Sequence, residues 1–80
     1  MSKAAAALEF EEVKGSSNVH SRAYDAAKQL IIVRFHNGSQ YAYKNSNAQD
    51  WKEFQRAKSA GKHIATQMRK HTYDKLDDWK

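Results

Sequence analysis

Ser16, Ser17, His20 and Asp25 lie within ten residues of one another and supply the types of a hydrolytic set: a nucleophile, a base and an orienting carboxylate. A triad is defined by spatial arrangement, however. None of the local signatures that impose such chemistry, G-x-S-x-G, a glycine-rich phosphate loop or H-E-x-x-H, occurs in the chain. The histidines His20, His36, His63 and His71 follow no recognised ligand spacing, and there is no cysteine to join them. His63 and His71 would stand roughly 12 Å apart along an unbroken helix, too far to share one metal ion. No catalytic residue, metal or cofactor is therefore expected, and a binding module is expected in place of an enzyme.

The other residues able to do chemistry are aromatic and basic. Tyr41 and Tyr43 alternate along one predicted strand, and Arg34 and His36 sit on the strand before it. Such a surface lets bases stack while cations meet phosphates. The same tyrosines serve as core if a helix lies over them and packs Trp51 and Phe54 against the rings. The net charge is +5, with a pI near 9.6, which favours acidic partners, chiefly nucleic acid. From Lys44 to His71 the bases include Lys52, Arg56, Lys58, Lys62, Arg69 and Lys70 against only Asp50 and Glu53, whereas the acids gather at Glu9, Glu11 and Glu12 and at Asp74, Asp77 and Asp78. The expected nucleic-acid site is thus Arg34, His36, Tyr41, Tyr43, Lys52, Arg56, Lys58, Lys62, Arg69 and Lys70, with RNA preferred over DNA. The alternative is a protein-interaction module, for example a phage-type effector docking on a host or bacterial protein.

These residues must be positioned by a hairpin. Leu30 to Phe35 is rich in β-branched and aromatic residues, which suit a pleated surface. Alternation puts Ile31, Val33 and Phe35 on one face and Leu30, Ile32, Arg34 and His36 on the other. Asn37-Gly38 tolerates positive φ at both positions and predicts a tight turn into the return strand Ser39–Lys44. Upstream, residues 8–13 suggest a short edge strand, with a helical turn as the alternative, Gly15 to Asn18 a turn, and Val19 to Tyr24 a further strand. Asp25 to Lys28 makes the connection into Leu30.

After Lys44 the period becomes helical. Asn47 and Asp50 imitate a capping box, and Trp51, Phe54, Ala57 and Lys58 form a stripe. Gly61 predicts the stop of that helix near Ser59–Gly61. A second short helix would turn Ile64 and Met68 inward and Lys62, His63, Gln67, Arg69 and Lys70 outward. Tyr73, Leu76 and Trp79, at threefold spacing, predict a helical turn docked on the body. Strands followed by helices imply an α+β domain: a three-stranded antiparallel meander packed by one or two C-terminal helices. The expected boundaries are a flexible segment over residues 1–9 and one domain over 10–80. Glu9 ends the apolar run Ala4–Leu8 before it is long enough for a signal segment, and no run could span a membrane. A cytoplasmic protein is expected.

Ser16-Ser17-Asn18-Val19, Ala23-Tyr24-Asp25, Leu30 to Phe35 with Asn37-Gly38, the central Tyr41-Ala42-Tyr43, and then Phe54, Ala57 and Ser59-Ala60-Gly61-Lys62 form an ordered series. Between Phe10 and Tyr73 this series resembles the KTSC domain, a short domain named for its place at the C-terminus of some lysyl-tRNA synthetases and also found alone in bacterial and phage proteins. The chain departs from the family pattern at Ser46-Asn47, where a Val-Pro pair usually opens the helix; this sequence has no proline. The resemblance implies no established activity. It implies an RNA-binding role, which transfers to Tyr41 and Tyr43, and with them Ser59, Gly61 and Lys62.

Overall fold

The computed structural model describes residues 8–80; of the segment expected to be flexible, all but Leu8 and Glu9 lies outside the described residues. The chain forms an antiparallel sheet of β1 (Glu11–Glu12), β2 (Val19–Asp25), β3 (Leu30–Phe35), β4 (Gln40–Tyr43) and β5 (Tyr73–Leu76), in that spatial order. Between β4 and β5 it leaves the sheet for α1 (Ala48–Arg56), α2 (Ala60–Thr66) and a 3₁₀ turn, Met68–Lys70. The α+β class stands, but among the described residues the expected three strands are five. Among the described residues no helix is long and apolar enough to cross a membrane.

The strand missing from the expectation at the C-terminal side is β5. Threefold spacing of Tyr73, Leu76 and Trp79 suggested a helical turn; the segment instead pairs with β4, Tyr43 opposite Tyr73 and Gln40 opposite Leu76. Without it the β4 edge would leave its amides and carbonyls unmatched, a cost that local helix preference does not offset. Trp79 docks in extended chain, its Nε1 donating to the Phe35 carbonyl at 2.8 Å and its backbone N–H to the Gly38 carbonyl at 3.0 Å.

Two local details decide which side chains share a face. A register shift between Val19 and Ser21 bulges β2 at His20. Val19 therefore lies across from Phe35 on the helix-covered face, and Arg22 and Tyr24 return to that same face opposite Val33 and Ile31. At the β3–β4 turn, Gly38 alone takes positive φ (+100°). The Gly38 amide donates to the Phe35 carbonyl and the Phe35 amide to the Ser39 carbonyl, a type I turn with a glycine bulge, not the two-residue mirror turn expected. Asn37 contributes its side chain, whose Oδ1 accepts from the Ser39 amide and hydroxyl.

The capping box forms as read: the Asn47 side chain accepts from the Asp50 amide, and the Asp50 carboxylate accepts from the Asn47 amide. α1 ends earlier than expected, at Arg56, and Ser59 caps α2 by accepting from the Lys62 amide. Gly61 is thus inside a helix and not a stop. Its role is close approach: a Cβ there would meet Asn18 Oδ1 at 2.7 Å and Nδ2 at 3.0 Å.

The core gathers Val19, Ile31, Val33, Tyr43, Phe54, Ala60 and Met68. Phe54, on α1, is fully buried within this cluster. Arg22 crosses it: the guanidinium lies 4.8 Å from the Phe54 ring centre and 6.0 Å from that of Trp51. Its Nε pairs with Glu11 at 2.8 Å and its Nη1 donates to the Phe54 carbonyl at 3.2 Å. Tyr24 stacks on Trp51 at 5.6 Å and its hydroxyl donates to the Ser46 carbonyl at 2.9 Å. His63, expected outward, instead stacks on Phe54 with ring centres 5.4 Å apart.

Candidate nucleic-acid interface

At the other end of the helix-covered face, β4, β5 and α2 border a groove of about 490 Å³. Phe35, Tyr41, Tyr43 and Tyr73 supply its aromatic lining, Ile64 and Ala65 come from α2, and Asn18, Asn37, Ser39 and Arg69 bring polar groups to it. The rings follow from register. Tyr41 and Tyr43 are two apart on β4, and Tyr73 lies directly across from Tyr43 on β5. Tyr41 meets Phe35 and Tyr73 edge-on at 5.7 and 5.5 Å, and Tyr43 meets Tyr73 at 5.6 Å. Lys75, two residues beyond Tyr73, holds its ammonium 5.9 Å from the Tyr41 ring centre.

The two tyrosines of the central Tyr-x-Tyr differ in access. Tyr41 is partly exposed. Tyr43 is only 7% exposed and belongs to the core. Burial above all, and then the neighbouring phenols of Tyr73 and Tyr41, push its pKa up from the ordinary tyrosine value, so it is a neutral ring under the groove floor. A base cannot stack on its face. Tyr73, 55% exposed, is the ring best placed for that task, and it was absent from the expected set. Its signal was there to be read: Tyr73 and Lys75 alternate with Asp74 and Leu76, a period of two.

The expected cations do not converge on these rings. Arg69 alone among them lines the groove. Arg34 points from the opposite face of the sheet, since Val33, not Arg34, pairs with Tyr41. There its guanidinium lies 3.6 Å from the Phe10 ring centre and 5.5 Å from that of Trp79, with Nε donating to Gln40 at 2.8 Å. His36 is exposed, on the same side as His20, with ring centres 5.3 Å apart. Lys52 and Arg56 are exposed on α1. Lys58 and Lys62 border a separate hollow with Ser59 and His63, and Lys70 another beside Asp50, Glu53 and His71.

The four residues that supply the types of a hydrolytic set also lie apart. His20 Nδ1 lies 3.0 Å from the buried Ser21 hydroxyl, Ser16 donates to Asn18 Oδ1, and Asp25, at the far end of β2, accepts from the Lys28 amide.

The sequence model of the KTSC domain family matches residues 15–73, a span that holds the Tyr-x-Tyr pair, Gly61 and the start of β5. The crystal structure of a KTSC domain protein from Yersinia pestis is similar at a TM-score of 0.80 and 22% identity, covering 88% of this chain and 99% of that one. At that identity the likeness is one of fold. No curated protein sequence matches.

Proposed function

The chain belongs to the KTSC domain family, and on that footing we propose that it is a small non-enzymatic module that binds single-stranded RNA in the groove between β4, β5 and α2. The observation that carries this reading is the juxtaposition of Tyr41 and Tyr73 with the Asn18, Asn37 and Ser39 side chains and Arg69 around one opening. Exposed rings accept base faces of any sequence, at roughly 1–3 kcal/mol per base. Amides and hydroxyls offer donors and acceptors to base edges and the ribose 2′-hydroxyl. Arg69 within the groove and Lys75 over Tyr41 supply charge for the backbone. The helical lysines Lys52, Lys58 and Lys62 and Arg56 contribute by long-range attraction, not by contact, because they border other surfaces.

The test is fluorescence anisotropy with single-stranded RNA, single-stranded DNA and duplex RNA at two salt concentrations. Single-stranded RNA should bind most tightly, with affinity falling as salt rises because phosphate contacts release counterions. No binding at low salt, or tighter binding of duplex than of single strands, would remove the groove from consideration.

A further inference from the structure

A second opening lies where the β1–β2 loop meets the junction between α1 and α2. It encloses about 190 Å³, and its wall carries Lys14, Arg22, Lys58 and Ser59. None of the ion pairs among the described residues uses Lys14 or Lys58. Glu12 also borders it. Glu11 turns to Arg22 on the helix-covered face, however, and alternation along β1 sends the next carboxylate to the opposite side. Arg22 is the fixed member of the wall. Glu11 and the Phe54 carbonyl hold its Nε and Nη1, so Nη2 remains as the nitrogen without a described partner. The Ser59 hydroxyl accepts from the Lys62 amide and keeps its own proton to donate.

We propose that this pocket binds a dianionic phosphoryl group, as a phosphate monoester or as inorganic phosphate. Glu11 balances Arg22, which leaves Lys14 and Lys58 as the charges a ligand must match. A phosphate monoester carries about −1.5 to −2 at neutral pH, whereas a carboxylate would leave one lysine unmatched. An anchored guanidinium, two mobile ammonium groups and a hydroxyl approach from several directions, which suits tetrahedral oxygens better than two coplanar ones. The site does not rest on the RNA reading. Gly15 and Ser16 face this pocket while Asn18, on the same loop, faces the groove, so each can fail alone.

The experiment is a proton–nitrogen NMR titration of the full chain with sodium phosphate, against sodium chloride at equal ionic strength. Phosphate should give saturable millimolar shifts confined to the amides of residues 12–16 and 57–60, and chloride should not. Lys14→Glu combined with Lys58→Glu, both at exposed positions, should leave the spectrum folded and weaken phosphate by about tenfold or more. Tyr41→Ala should leave the phosphate shifts unchanged, which separates this site from the groove. A parallel titration compares 5′-phosphorylated with 5′-hydroxyl oligoribonucleotides. Tighter binding of the phosphorylated strand assigns the pocket to an RNA end, and equal binding with the phosphate shifts retained assigns it to a small phosphate ester. Absence of saturation, shifts scattered over the chain, or a double variant that binds phosphate as well as the parent would overturn the proposal.

Discussion

The two ends of the helix-covered face use the same residue types to opposite ends. Around Phe54, Arg22 lies over aromatic rings, Tyr24 stacks on Trp51, and Arg22 and Tyr24 each donate to a backbone carbonyl. Around Tyr41, cationic and phenolic side chains again surround aromatic rings, but the groove stays open and Tyr73 faces solvent. The difference is supplied by α1 and its cap, which press Trp51 and Phe54 onto β2, whereas α2 brings Ile64 and Ala65 to a groove that stays open beside β5. A cation beside an aromatic ring is therefore packed under α1 at one end and stands at an open groove at the other, and the covering helix distinguishes them.

The largest effect should come from emptying the sealed end. Phe54→Ala should cost about 3–5 kcal/mol, a large part of the total stability of so small a domain, read as a fall in the urea midpoint. A loss near that of a surface substitution would show that the two ends are equally loose. Tyr73→Ala should do the reverse: nearly unchanged unfolding, but RNA affinity weakened by roughly 1–3 kcal/mol. Comparable losses of stability for both variants would erase the distinction.

Between the ends stands the Asn18–Gly61 contact. Gly61→Ala gains about 1 kcal/mol of helix propensity but drives Asn18 off its bond with the Ser16 hydroxyl. In a double-mutant cycle with Asn18→Gly the two positions should couple by about 1 kcal/mol, and additivity would show the approach to be slack. The smallest effect should be one of pH. Burial against Phe54, with Arg22 nearby, lowers the His63 pKa below its ordinary 6.5, although Glu53 and Asp50 oppose the shift. A histidine whose folded pKa is depressed takes its proton more readily when unfolded. Its contribution is complete above about 6.5 and declines as pH falls from there toward the folded pKa. Urea midpoints measured across that window should fall for the parent and fall less for His63→Phe.

Much of the frame was legible because it is local. The β3 pattern, the turn at Asn37-Gly38 and the Asn47–Asp50 cap all declare themselves within a few residues. What escaped depends on distant neighbours. β5 is a strand because β4 is beside it, and its own residues also satisfy a helical spacing. Gly61 reads as a helix stop until Asn18 is seen against it. The face of Arg34 relative to Tyr41 depends on cross-strand pairing, and that of Arg22 on a bulge at His20 that no residue type announces. The candidate site follows the same rule: of the expected set Tyr41, Tyr43 and Arg69 border the groove, Tyr43 takes the core alternative that its sequence left open, and Tyr73 lies inside the element whose spacing also suits a helix.

β5 joins the sheet only after the chain has travelled through both helices, and it holds one wall of the groove. The exposed outer strand is the element whose hydrogen bonds open with least disturbance to the rest. An oligonucleotide gripping Tyr41 and Tyr73 together would clasp the last strand to its neighbour. Occupancy should therefore be legible in deuterium uptake: amides of residues 73–76 should slow their exchange when the groove is filled, while those of β2 and β3 keep the rates they had.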